Sequence, residues 1–232
     1  VPDIFDEVAE DLRAERAKHL FRRYGLLVVA VVIIGLAGVG GWELWQRRQR
    51  QQDDAAAATM LAAMQLADKL PPPGLPGAMP PAPGAREAAL AGFEKLDTSA
   101  PETYRTLARL RQAGLKADGG DLAGADVLWD QVAGDGSADP LLRDLASLLW
   151  VQRQPETADP AALLARLKPL TSPDNPWHPL ALEQQALIQM RGNAPAGSKD
   201  AARDTLRLLA ADASVPDGVR NRANGLLAKL GG

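Results

Sequence analysis

The chain has 232 residues, 46% of them hydrophobic, with 26 basic against 29 acidic side chains and a net charge of −3. It contains no cysteine, which excludes disulfides, thiolate zinc sites and thiol catalysis and leaves the redox state of its compartment unmarked. From Asp53 onward 18 basic residues stand against 22 acidic ones, so there is no basic footprint for nucleic acid, and no nucleic-acid partner is expected.

Residues 1–23 place six acids first and five bases after them. Ile4, Val8 and Leu12 fall at helical spacing with Phe5 beside them, a pattern for a short amphipathic helix in a charged tail. The next stretch, Tyr24 to Trp42, reads YGLLVVAVVIIGLAGVGGW and carries no charge. At 1.5 Å rise per residue, about 20 apolar residues cross a bilayer core of about 30 Å, which predicts a single transmembrane helix over 24–45. Tyr24, Trp42 and Trp45 sit where aromatic belts sit. Arg22 and Arg23 precede the segment and Arg47, Arg48 and Arg50 follow it, placed to snorkel to headgroups. Glu43 reads as an interfacial carboxylate rather than an ion relay, because it lies past the apolar run.

Five bases before the span against three just after it favour an N-terminus in the cytoplasm and a C-terminal part outside it. The alternative is a cleaved signal peptide, with Gly38 and Gly40 as small residues at cleavage spacing. The long leader and the length of the apolar run argue against it. Gly35, Gly38 and Gly41 form a small-residue face on which another membrane helix could pack closely.

Residues 51–70 are alanine-rich, with Met60, Leu61, Met64 and Leu66, and predict a helix opened by Asp53 and Asp54. Pro71 to Gly84 holds seven prolines and predicts an extended proline-rich loop, a spacer rather than a ligand for proline-recognition modules. From Ala85 the pattern is helical to the end, and no alternating run of strand length occurs. Ala89, Leu90, Phe93 and Leu96 make one apolar stripe.

A period then emerges. Pro101, Pro140, Pro179 and Pro216 are spaced by 39, 39 and 37 residues, and each begins a helical run. An alanine follows seven residues on in three of the runs (Ala108, Ala186, Ala223) and six on in the other (Ala146), small enough for a neighbouring helix to approach the backbone. Second helices open at Asp121, at Asp159-Pro160 and at Asp200, with turns at Gly119-Gly120, Gln154-Pro155 and Gly192-Asn193. The expected fold is all-α: a membrane helix followed, over 53–232, by an α-solenoid of helical hairpins.

These units resemble tetratricopeptide repeats with a longer and drifting period. Gly120-Asp121-x-x-x-Ala125 is similar to the turn by which such repeats enter their second helix; Asp159 and Asp200 lack the preceding glycine. The layout of charged tail, membrane helix, alanine-rich helix and degenerate repeats resembles the ancillary SecYEG translocon subunit (YfgM-like) family. The proline-rich stretch over 71–84 departs from it. That resemblance implies a bacterial inner-membrane protein with a periplasmic repeat domain, and as partners membrane lipid, translocon subunits and a periplasmic chaperone.

No catalytic motif is present: there is no H-E-x-x-H, G-x-S-x-G, S-x-x-K arrangement or P-loop, and His19 and His178 are isolated. Asp126 and Asp130, one helical turn apart, read as a solvated face. The chain is therefore expected to be no enzyme and to hold no metal or cofactor. Trp129, Trp150 and Trp177 fall among leucines, as repeat packing or as anchors of a partner groove. The expected work is that of a membrane-tethered scaffold for protein–protein interaction, with a structural subunit of another inner-membrane complex, respiratory or divisional, as the alternative.

Overall fold

The computed structural model describes residue 36 and residues 39–70 and 83–231, in two units, Val1–Asp54 and Ala55–Gly232. The tail over 1–23, most of the predicted membrane span, Gly35, Gly38 and the loop over 71–82 lie outside the described residues. Among the described residues no helix is long and apolar enough to cross a membrane.

The first helix, α1, is helical over 39–67. Asp53 and Asp54 therefore sit inside it rather than at its start. Neither glycine pair nor proline interrupts residues 42–67, and the alanines there have the highest helix propensity. In the first unit, Val39, Trp42, Leu44 and Trp45 are all exposed, and the two indoles stand 5.4 Å apart. Glu43 and Arg47 pair at 2.7 Å across one helical turn.

The second unit takes residues 55–67 of α1 and eight further α-helices: α2 (Ala85–Ser99), α3 (Glu102–Asp118), α4 (Leu122–Gly134), α5 (Pro140–Arg153), α6 (Pro160–Leu167), α7 (His178–Gln189), α8 (Ser198–Ala211) and α9 (Asp217–Lys229). A 3-10 turn over Lys168–Thr171 follows α6, where Pro169 ends the α-helical bonding. Odd-numbered helices are the first (A) members of successive hairpins and even-numbered ones the second (B) members. Each helix from α2 on packs against its sequence neighbours, and α3, α5, α7 and α9 also touch one another in order. No strand occurs among the described residues.

The period found in the prolines is the period of the helices. Pro101 and Pro216 cap α3 and α9, Pro140 is the first residue of α5, and Pro179 lies in the first turn of α7. A proline there gives up no hydrogen bond, because the first N–H groups of a helix have no partner inside it. The four alanines of the repeat, Ala108, Ala146, Ala186 and Ala223, are all completely buried. In the B helices Ala125 and Ala202 are buried to the same degree. At the hairpin of α1 and α2, Gly92 has the same duty: a Cβ added to it would lie 2.9 Å from Cβ of Ala63.

The α3–α4 turn has the tightest chemistry. Gly120 takes φ +90°, the left-handed conformation that a glycine enters without strain. The N–H of Gly120 then bonds to the Ala117 carbonyl at 3.0 Å and that of Asp121 to the Lys116 carbonyl at 2.9 Å, the Schellman pattern of helix closure. Asp121 at once caps α4, its carboxylate accepting from the N–H of Gly124 at 2.9 Å. The same capping recurs at α6, where Asp159 accepts from Ala161 and Ala162. It does not recur at α8. That helix starts at Ser198 after Gly197 in the left-handed region, and Asp200 lies in the first turn, paired with Arg203 at 2.7 Å.

Polar ties between hairpins repeat at the same separation. Arg222 makes a bidentate bond to Glu183, 39 residues away, with both distances 2.6 Å. Arg191 donates to the Pro155 carbonyl 36 residues away and Asn193 to the Ala158 carbonyl 35 away. Arg153 donates to Asp118, 35 residues away, at 2.6 Å. Each side chain thus reaches one hairpin back, which converts stacked apolar faces into a fixed register.

Two predictions concern this stack. Ala146→Leu forces a larger side chain into a site with no free volume and should destabilise the fold by about 1–3 kcal/mol in urea unfolding. Arg222→Ala strands the Glu183 carboxylate, whose side chain is 5% exposed. The cost should be about 1.5–3 kcal/mol, the range for hydrogen bonds to a charged group, and Glu183→Leu in the same chain should recover much of it.

Candidate partner-binding groove

A groove of about 470 Å³ opens on the face formed by α1, α3 and α5. α1 lines it with Met64 and Ala67, one turn apart, and Asp68 follows in the turn after the helix. α3 supplies Leu107, Leu110, Arg111, Gly114, Leu115 and Asp118. α5 contributes Leu145, Leu149 and Arg153 at intervals of four, and Phe93 of α2 closes the base. These residues flank the repeat alanines: Leu115 stands two turns beyond Ala108, and Leu149 and Arg153 stand one and two turns beyond Ala146. In α3 the buried residues are Thr106, Ala108, Leu110, Gln112 and Ala113, while Leu107 and Leu115 are only half-buried.

The floor is apolar and the rim is charged. Asp118 and Arg153 neutralise each other at 2.6 Å. Arg111 and Asp68 are exposed and belong to no ion pair among the described residues. The arrangement suits docking of an apolar surface flanked by charge, and its volume lies in the range of ligand sites, about 300–1,000 Å³. A smaller depression of about 280 Å³ between α6 and α7 is lined by Leu164, Lys168, Gln185 and Gln189.

The tryptophans singled out in the sequence lie elsewhere. Trp129 is 1% exposed, packed with Leu110, Ala113, Val132 and Ala146, and offers no face to a partner. Trp150 is half-buried between that cluster and the one around Leu148, Leu163 and Leu167. The Arg166 guanidinium lies 4.3 Å over its ring and also pairs with Asp130 at 2.7 Å. Trp177 packs on the second cluster and donates its indole N–H to the Leu141 carbonyl at 3.0 Å. All three join neighbouring hairpins, and none lines the groove. Gly41 lies in α1, exposed, with open space where a Cβ would stand. His178 donates from Nδ1 to the Thr171 carbonyl, 2.9 Å away, and so ties down the loop before α7.

Asp126 and Asp130 are not one solvated face. Asp130 is exposed, but Asp126 is half-buried and bonded by the Gln154 amide at 3.0 Å. Loss of water raises its carboxyl above the usual range, against the opposing pull of Gln154.

The connections from B to A helices share a turn that spacing alone does not announce. Asp135 accepts from the hydroxyl and the N–H of Ser137, and Asp212 accepts from the same two groups of Ser214. Asn175 accepts from the N–H of Trp177 at the connection between them. These bonds hold the carboxyls of Asp135 and Asp212 below the usual range, with the serine hydroxyl the larger cause. Asp121 is lowered likewise, first by the Lys116 ammonium and then by the N–H of Gly124.

A carboxyl lowered on folding stabilises above its unfolded pKa, about 3.9, and that contribution fades as pH falls through the folded value. Stability of the repeat domain should therefore hold steady above about pH 5 and fall as the solution is acidified below about pH 4. Asp135→Asn keeps an acceptor oxygen, so it should keep the turn at neutral pH and flatten part of the acid slope in a urea-midpoint series.

Comparison with curated proteins and with solved structures gives no match. A family model described as a tetratricopeptide repeat-like domain matches residues 18–213, most of the chain. Repeats of this kind are typically non-catalytic scaffolds for protein–protein interaction. On that match and on the hairpin stack, the chain belongs to the tetratricopeptide repeat-like domain family.

Proposed function

We propose that the chain is a scaffold anchored in a bacterial inner membrane through residues 24–45, with its repeat domain in the periplasm, and that it holds a periplasmic chaperone beside the Sec translocon. The observation that carries the scaffold part is the apolar groove on the A-helix face, rimmed by Asp68, Arg111, Asp118 and Arg153. Its lining has no nucleophile placed beside a base, so its chemistry is that of contact rather than reaction.

Anchorage draws on two further features. The uncharged run from Tyr24 to Trp42 has the length of a bilayer span. Within it and just past it, Leu36, Val39, Trp42, Leu44 and Trp45 are 56–69% exposed and distributed all round the helix, which is the pattern of a helix surrounded by apolar material. Tethering would confine the groove to a thin layer and raise its effective concentration toward membrane-bound partners, to about millimolar for short links.

Photo-crosslinking from Leu107 and Leu149 in native membranes tests this function. Adducts with translocon subunits and a periplasmic chaperone are expected. Recovery of respiratory or division-complex subunits in their place would move the assignment to a structural subunit of that assembly. Protease treatment of spheroplasts should degrade the repeat domain; protection of 53–232 would overturn the orientation.

A further inference from the structure

We infer that α6 and the 3-10 turn behind it, residues 160–171, form a strap that lifts off the seam between α5 and α7 and melts as one unit while the rest of the stack stays assembled. The device is independent of where the chain is anchored and of what it holds.

Proline bounds α6 on both sides. Pro160 starts it and Pro169 ends its α-helical bonding, which leaves eight residues, the fewest of the described α-helices. Two turns are well below the about 12–15 residues at which a helix is marginally stable by itself, so α6 is helical only while docked. Its apolar side and the turn bury Leu163, Leu167 and Leu170 against Leu148 and Val151 of α5 and Ala181 and Ile188 of α7. The polar holds on it are few. Arg166 pairs with Asp130 of α4 and lies over the Trp150 ring, and the Thr171 carbonyl takes the Nδ1 proton of His178.

The neighbours do not need α6 in order to stay together. Ahead of α7, Trp177 donates to the Leu141 carbonyl at 3.0 Å and the Asn175 amide to the Asp144 carboxylate at 2.8 Å. Past α7, Arg191 donates to the Pro155 carbonyl at 2.9 Å and Asn193 to the Ala158 carbonyl at 3.1 Å. The α5 and α7 ends are thereby tied on both sides, and all four bonds bypass residues 160–171. The same bonds hold the stems of the strap at Ala158 and Asn175. The seam under it is incompletely filled and incompletely bonded. A cavity of about 280 Å³ lies between α6 and α7, beside Leu164 and Gln189. Arg166 Nε, Trp150 Nε1 and Gln189 Oε1 are buried with no hydrogen-bond partner among the described residues. Each of them meets water when the strap lifts, which offsets part of the cost of exposing the leucines. Lifting uncovers an apolar floor of Leu148, Val151, Ala181 and Ile188 that the closed stack does not present.

Hydrogen exchange of the full chain in lipid nanodiscs, read by mass spectrometry, tests the strap. Amides of 161–171 should be about tenfold or more less protected than those of α5 and α7, with exchange nearly independent of low urea, the mark of local rather than global opening. Arg166→Met removes the tie to Asp130 while keeping a side chain over Trp150. It should speed exchange of the strap about fivefold and leave α5 and α7 as they were, whereas a general loss of stability would speed all three helices. A second readout uses the absence of cysteine from the chain. Val151→Cys places one thiol under the strap, at a site 1% exposed, and Leu206→Cys places one in the core of α8. Arg166→Met should speed labelling of the first by a water-soluble thiol reagent about fivefold and leave the second unchanged. Exchange of 161–171 in step with α5 and α7 overturns the strap, as does equal acceleration of all three helices by Arg166→Met. Should Val151→Cys itself loosen the fold, the exchange rates of the cysteine-free chain still decide.

Discussion

Everything in the repeat domain depends on how closely one helix can lie on the next. The completely buried alanines of α3, α5, α7 and α9 set that distance. A methyl group there lets the following helix rest almost on the backbone, and the leucines to either side then fill the space that remains. Because each hairpin touches only its neighbours, the condition has to be met afresh in every repeat, and it is. The arginine and asparagine ties that reach one hairpin back add little apolar burial. Their work is to prevent the stack from sliding, since a shift of one turn would leave a carboxylate such as Glu183 buried without its guanidinium.

The same tight spacing creates the groove. An A helix that buries its alanine against the stack leaves the residues beside that alanine at the edge of the core, and three such edges side by side form a floor. Leu107 and Leu149 are half-buried for this reason: each packs on a core cluster with one side and lines the groove with the other. The groove is therefore a by-product of solenoid geometry.

Much of this was legible before any coordinates. Proline starts, aspartate caps and the recurrent alanine are local signals, and local signals survive degenerate repeats. What could not be read was anything that depends on which leucine faces where. Trp129 and Leu107 each sit in an apolar pattern at helical spacing, yet one is sealed in the core and the other lines the groove. The difference is made by helices some 40 residues away, brought alongside by folding. Asp126 misled because it is half-buried and bonded by Gln154, on the next hairpin. Asp200 misled because an aspartate in a first turn and an aspartate at a cap look alike in sequence, and Gly197 had already taken the cap. The proposed membrane span rests on the amino-acid pattern of residues 24–45 alone.

Asp121 closes one helix and opens the next, so two hydrogen-bonding systems share a single residue with no spare length between them. An inserted amino acid anywhere from Lys116 to Gly124 would detach one system from the other, and a Cβ at Gly124 would already collide with the Asp121 carboxylate. The linker between α7 and α8, spanning 190–197, has no such double duty. Drift in chain length among related sequences should accordingly accumulate there beyond Asn193, since Arg191 and Asn193 are tied to the preceding hairpin, leaving the α3–α4 corner as the fixed point from which the register of the later hairpins is measured.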